Sequence, residues 1–193
     1  MAQPKTDKYA AILDAALALF VERGYHGTAV PDIARRAGVA AGTIYHYFES
    51  KERIVNALFR HWKERVAASV HTAFPTGAPP REQFRTIWRE MARFAREHRE
   101  AFAFLEFHHH ASYLDAESQR LEQGLKQFGA GFVEVAQKAG VLKPGPPMLL
   151  MELVFGAFNG LVRAGRDGRI ALDDAAFEAA EAACWDAVAR HPG

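Results

Sequence analysis

The chain is nearly without cysteine. Of 193 residues only Cys184 carries a thiol. That excludes an intrachain disulfide framework and any cysteine-based zinc site, and it favours a reducing compartment. Strand signals are almost as scarce: no stretch sustains a period-two alternation enriched in β-branched residues. No uninterrupted run of 18 apolar residues offers a membrane span, and the first residues, Met-Ala-Gln-Pro-Lys-Thr-Asp-Lys, hold no apolar signal region. We therefore expect a cytoplasmic protein with no membrane partner. No phosphate loop, nucleotide fingerprint or nucleophile motif is present. Net charge is only +1, so composition alone does not select an acidic or basic partner.

What remains is a folded, helical chain. Its hydrophobic content of 49% is ample for a core, and 24% charged residues is an ordinary share. Charge is unevenly divided. Residues 1–65 carry ten Lys/Arg against seven Asp/Glu, and residues 66–193 carry fourteen against sixteen. The basic excess thus lies in the first third, as contact with nucleic acid requires.

Helical periodicity recurs throughout. Ile12, Ala16, Leu19 and Phe20 form the inner stripe of a first helix that Gly24 ends. Thr28 is placed to cap a second helix, with Pro31 and Asp32 in its first turn. Ser50 caps a fourth helix that runs to about Val70. The stretch 74–80, Phe-Pro-Thr-Gly-Ala-Pro-Pro, breaks the chain, and Lys143-Pro144-Gly145-Pro146-Pro147 breaks it again. Between and after these breaks the pattern predicts helices over about 81–97, 100–113, 115–139, 148–164 and 173–190. The expected fold is all-α, with about nine helices.

Residues 28–51 are the most informative. Ala34, Gly38, Val39 and Ile44 stand where a helix-turn-helix needs a small residue at the helix crossing, a left-handed turn residue and two core anchors. Ile44, Tyr47 and Phe48 fall at i, i+3 and i+4 and would pin the second of the two helices to the core. Its opposite face is left free. A helix from Ala41 to Phe48 is ~12 Å long at 1.5 Å per residue, which suits a DNA major groove about 12 Å wide.

These residues carry a family resemblance. Ile12-Leu13-Asp14-Ala15-Ala16-Leu17-Ala18-Leu19-Phe20, Gly24-Tyr25, Thr28, Val30, Asp32-Ile33-Ala34, Ala37-Gly38-Val39, Gly42-Thr43-Ile44-Tyr45-His46-Tyr47-Phe48 and Ser50-Lys51-Glu52 resemble the TetR (tetracycline-repressor) family of transcriptional regulators over about residues 10–60. Further on, Glu152-Leu153-Val154-Phe155-Gly156-Ala157 through Gly168-Arg169-Ile170 resembles the last-but-one helix of many members. The resemblance implies a three-helix DNA-binding domain over residues 1–54. It implies an effector-binding and dimerisation domain over 55–193. It implies a homodimeric repressor that binds a pseudo-palindromic double-stranded operator and releases it when a small molecule binds.

On this reading Ala41, Gly42, Thr43, Tyr45 and His46 face DNA. The Thr43 hydroxyl or methyl and the Ala41 methyl can meet base edges. The resemblance matches Thr28, Tyr45, Tyr47 and Lys51 to positions that hold phosphates. Tyr47 shares a face with Ile44 and so also has a core reading, and His46 also reads as a plain surface residue. The chain departs from the family at Ala40 and Ala41, where many members have a serine cap and a basic or polar residue. With no arginine in this helix, the expected operator is read partly through shape and apolar contact.

The last two helices carry small residues at helical spacing. Leu153, Gly156, Ala157, Gly160 and Leu161 on one, with Ala176, Ala180, Ala183, Trp185 and Ala187 on the other, are the expected dimer surface. Packing within the chain is the simpler reading for part of this stripe. The middle helices are rich in aromatics. Trp62, Trp88, Met91, Phe102, Phe107, Tyr113 and Phe128 could wall a pocket for a lipophilic or aromatic effector, with Glu106, His110, Asn159 and Arg163 as polar anchors. Each also reads as ordinary core. Glu106 and His110 share a helical face, but two ligands fall short of the usual three or four, so no metal and no cofactor is expected. An enzyme reading built on that pair has no further support. Arg81, Arg85, Arg89, Arg93 and Arg96 interleave with Glu82, Glu90, Glu97 and Glu100 and read as a solvated, ion-paired face.

Overall fold

A computed structural model describes residues 5–107 and 112–191. The described residues form nine helices and no strand: α1 Lys5–Arg23, α2 Val30–Arg36, α3 Ala41–Tyr47, α4 Lys51–Ala73, α5 Pro80–Glu97, α6 Arg99–Phe107, α7 Ala116–Lys138, α8 Pro147–Arg166 and α9 Asp174–Val188. The all-α expectation holds, and the proline-rich stretches fall between helices or on a helix's first residue (Pro80, Pro147), where a missing N–H and a fixed φ do least harm.

Two compact units emerge. The first comprises residues 1–65 and 97–121, and the second residues 66–96 and 122–193. Within the first, α1 packs on α2 and α6, and α2 packs on α3. Its core is Ile12, Leu19, Phe20, Ile33, Ile44, Ile54, Val55, Leu58, Phe59 and Phe104, all but excluded from solvent. Phe20 lies against Phe104 with ring centroids 6.1 Å apart.

In the second unit, Val133, Ala136, Leu142 and Val188 form a buried cluster, flanked by Phe132, Leu150, Met151, Val154 and Trp185. Gly129 marks the close approach of α7 to α8, since a Cβ there would lie 2.8 Å from Met151 Cγ. The chain's end is tied back: Lys143 N–H donates to the Val188 carbonyl and Arg190 N–H to that of Val141, each at 2.8 Å. Trp88 lies edge-on to Phe158, centroids 5.0 Å apart, and its Nε1 donates to the Phe177 carbonyl at 3.0 Å. Phe158, Phe177 and Val188 are core of their own chain.

The arginines of α5 behave differently from the expected stripe. Arg93 does pair along the helix with Glu90. Arg81, however, forms a two-pronged pair with the buried Glu181 of α9, and Arg96 pairs with Asp174. A single-helix periodicity reading cannot see acceptors 78 to 100 residues away. α8 is long and apolar enough by length and composition to cross a membrane, and little of it is fully buried in the single chain. Glu152, Asn159 and Arg163 interrupt its apolar run.

Candidate nucleic-acid interface

The helix-turn-helix is built from α2, α3 and the turn between them. Gly38 sits at φ +67°, a conformation that costs an L-residue roughly 1–2 kcal/mol. Val39 N–H returns to the Ala34 carbonyl at 3.0 Å, which closes the end of α2. Ala34 is buried, as a close helix crossing requires. The N-cap of α3 is Ala40, which supplies no side-chain hydrogen bond. Phe48 leaves the helix in extended conformation but stays buried, stacked on Tyr9 with centroids 5.2 Å apart.

This arrangement buries Ile44 and turns the other face of α3 outward. Ala41, Gly42, Tyr45 and His46 are exposed, Tyr45 by 58%, and Thr43 is half-buried. A Cβ added at Gly42 would meet nothing within 4 Å, so the chain's own packing does not demand a glycine there. Tyr47 is half-buried beside Tyr9, with centroids 6.1 Å apart.

Two residues assigned to phosphates are engaged elsewhere. Thr28 is only 1% exposed, and its hydroxyl faces the carbonyls of Gly24 at 2.8 Å and Leu19 at 3.1 Å. Its side chain is a strut inside the α1–α2 turn and cannot reach DNA without leaving that turn. Nor is it the cap of α2, whose N-cap is Ala29. Lys51 Nζ donates to the carbonyls of Tyr25 at 2.8 Å and Thr28 at 2.9 Å, and it lies 4.0 Å from the Tyr25 ring centroid. An ammonium has three donors, so one N–H remains for an outside acceptor.

Around this lysine lies a network that the sequence reading missed. Tyr25 stacks on Tyr113, with centroids 4.2 Å apart and planes 19° from parallel. Its hydroxyl donates to Glu52. Burial, reinforced by that carboxylate, holds the Tyr25 phenol protonated far above its ordinary range. The same hydrogen bond, read from the other side, holds the Glu52 carboxyl below its ordinary value. Asn56, 2% exposed, bonds to the main chain at Glu52, Tyr113 and Asp115. Asp115 accepts two hydrogen bonds from Arg60 at 3.0 and 3.1 Å. A polar residue inside the apolar run Ile54-Val55-Asn56-Ala57-Leu58-Phe59 was the signal that could have found this site.

The candidate effector residues fall into both units. Trp62, Phe102, Glu106, Phe107 and Tyr113 belong to the first; Trp88, Met91, Phe128, Asn159 and Arg163 belong to the second. In the first unit Glu106 accepts from Lys63 at 2.9 Å, both side chains largely buried, so that carboxylate is already neutralised. Trp62 lies 5.0 Å from the His98 ring and under the Arg65 guanidinium. Phe102 is buried against Phe107, and Tyr113 is taken up by Tyr25. In the second, Trp88 is core, Met91 and Asn159 are half-buried, and Phe128 and Arg163 are exposed. Phe128 therefore covers the surface beside Phe74 instead of lining an interior. His110 lies outside the described residues. Among the described residues no three His, Cys, Asp or Glu side chains gather as a metal would need.

The expected dimer residues also divide. Leu153, Gly156, Ala157, Gly160, Ala183 and Ala187 are exposed, while Leu161, Ala176 and Ala180 are half-buried. Trp185 packs edge-on to Phe84 at 5.3 Å and beneath Arg81, so most of its surface serves its own chain. Leu149, 63% exposed, extends the apolar face of α8 by one turn beyond the predicted set.

The family described as bacterial regulatory proteins, tetR family, matches residues 12–58, and the tetracyclin repressor-like C-terminal domain matches 59–190. The fatty acid metabolism regulator protein of Bacillus subtilis is 52% identical over 56 residues, 29% of each chain. The transcriptional repressor KstR2 of Mycobacterium tuberculosis is 38% identical over 113 residues, 57% of this chain and 50% of that protein. The chain thus spans half or less of these curated relatives. A TetR-family transcription regulator from Marinobacter aquaeolei superposes with a TM-score of 0.85 over 99% of this chain and 100% of that one, at 30% identity. The regulator FadR of Bacillus subtilis, solved in complex with stearoyl-CoA, shares the fold at 23% identity, with a TM-score of 0.75 over 92% and 96% of the two chains.

Proposed function

The chain belongs to the TetR family of DNA-binding transcription regulators, which are not enzymes, and from that premise we propose a homodimeric, ligand-responsive repressor acting on a pseudo-palindromic operator in the cytoplasm. The observation that carries the DNA half is the division of α3 into a buried Ile44 face and an exposed face of Ala41, Gly42, Tyr45 and His46. On this proposal that face, with Thr43, enters the major groove, and Tyr47 and the spare N–H of Lys51 take phosphates. Thr28 acts from inside the turn. The functional boundary falls near residue 54, and residues 55–193 take effector binding and dimerisation.

The dimer reading is supported by α8. Leu149 and Leu153 are 63% and 58% exposed, and a Cβ at Gly156 or Gly160 would meet nothing in the chain. A large apolar strip with small residues on it, left uncovered by its own chain, is the surface a two-fold partner helix can cover. Half-site centres then lie about one helical turn, ~34–36 Å, apart. This assignment also accounts for the apolar length of α8 without a membrane.

The effector reading rests on the aromatic residues of the middle helices, on a curated relative named a fatty acid metabolism regulator, and on a FadR structure solved with stearoyl-CoA. They point to a lipophilic effector, with a long acyl chain as its first candidate. α4 continues from the first unit into the second, so its conformation is the proposed link to DNA. An effector shifts that equilibrium only by its differential affinity for the two states. The test is binding to DNA from just upstream of the gene, across a salt series and then with acyl-CoA added. Salt-sensitive binding by a dimer, reversed by the ligand, is expected. A folded chain that ignores DNA at low salt overturns the reading.

A further inference from the structure

Asn56 is a buried amide whose every polar atom is used on main chain. Nδ2 donates to the carbonyls of Glu52 and Tyr113, each at 2.8 Å, and Oδ1 accepts from Asp115 N–H at 2.8 Å. One side chain of α4 thereby fixes two residues of the 112–115 turn, 57 and 59 positions further along the chain. The same turn lays Tyr113 flat on Tyr25, between α1 and α2. Tyr25 in turn is bound to the head of α4 twice, through its hydroxyl to Glu52 and through its carbonyl from Lys51. Lys51 then reaches Thr28, two residues before α2. All of these residues lie within the first unit.

We propose that Asn56 and Tyr113 are positioning residues for DNA binding: they make the 112–115 turn a seat on which the α1–α2 turn and the head of α4 rest. The inference rests on the DNA-binding reading of α3. α3 has only seven residues and carries no capping side chain, so its placement depends on the elements that hold it. Base-edge contacts are short and directional, whereas phosphate attraction is long-ranged and tolerant. A loosened seat therefore lowers specific binding and leaves non-specific binding and the salt slope nearly alone. Loss of a phosphate contact would do the opposite, weakening all sequences together and reducing the slope by about one.

The experiment uses the full chain and a duplex that the wild type selects from a random pool, with a scrambled duplex as the non-specific probe. Both are titrated at several salt concentrations with Asn56→Ala, Tyr113→Leu and Tyr113→Phe. Asn56→Ala and Tyr113→Leu are expected to lower affinity for the selected duplex roughly two- to thirtyfold. Affinity for the scrambled duplex and the salt slope should stay at wild type. Tyr113→Phe keeps the stack on Tyr25 and the main-chain bonds, and should bind closer to wild type than Tyr113→Leu. If Asn56→Ala fails to fold, the contrast between Leu and Phe at position 113 decides the matter. Wild-type affinity in the folded Asn56→Ala and Tyr113→Leu variants overturns the inference, as does a parallel loss on both duplexes with a reduced slope. A wild-type chain that cannot discriminate any duplex overturns the DNA-binding reading, and this inference with it.

Discussion

Leu153 and Tyr45 are equally exposed, 58% each in the single chain, yet replacing them should do opposite things. Burying a leucine side chain fully is worth about 1.5–3 kcal/mol. Covering the exposed 58% of Leu153 in a partner contact recovers about 0.9–1.7 kcal/mol by the same scale. Two-fold symmetry counts it twice, so Leu153→Ala removes roughly 2–3.5 kcal/mol from association. At 1.4 kcal/mol per tenfold, the dimer Kd rises roughly 20- to 300-fold. Sedimentation equilibrium over a dilution series, or mass photometry at nanomolar concentration, reads this directly. Tyr45→Ala should leave the dimer unchanged and abolish most operator affinity. An unchanged Kd for Leu153→Ala, or a wild-type chain that is monomeric at micromolar concentration, refutes the assignment of the α8 face. A Tyr45→Ala chain that dissociates would mean that α3, not α8, faces the partner.

Four further outcomes are expected. Ile44→Ala removes a fully buried anchor and should lower unfolding stability by about 2–5 kcal/mol in urea titration. Gly38→Ala meets no atom within 4 Å but must hold a positive φ; a loss of roughly 1–2 kcal/mol is expected from the backbone alone, and a neutral result would mean that the turn relaxes. Lys51→Met should lower affinity for all duplexes and reduce the salt slope by about one if its third N–H takes a phosphate, while an unchanged slope would confine the residue to its two carbonyls. The Glu52 carboxyl is held below its ordinary value by the Tyr25 hydroxyl. Its contribution is therefore fully present above the ordinary carboxylate range and is lost as pH falls through its depressed value. The acid limb of the stability curve should be shallower in Tyr25→Phe, and two superimposable limbs would remove Glu52 from the account.

Most of the helical architecture was legible because it is local. Ile12, Ala16, Leu19 and Phe20 are spaced for one face of one helix, and they are indeed core or near it. Gly38 declares a left-handed turn by having no Cβ, and Pro144, Pro146 and Pro147 declare a break by lacking N–H groups. Such signals depend on residues within a turn or two of each other, so the sequence carries them whole. The exposed side of α3 was legible for the same reason, since burying Ile44 fixes what points away.

Tertiary structure alone decided what the polar side chains do. Thr28 has the chemistry of a helix cap or a phosphate donor, but its hydroxyl meets the carbonyls of Leu19 and Gly24 and is buried with them. Lys51 looks like a free cation and is tied to two carbonyls more than 20 residues back. Asn56 finds its partners 57 and 59 residues on, and residues 97–121 share a compact unit with 1–65. Hydrophobic period is a property of neighbouring residues. A hydrogen bond to a particular carbonyl exists only once two distant segments are brought within 3 Å, and no local pattern records that meeting.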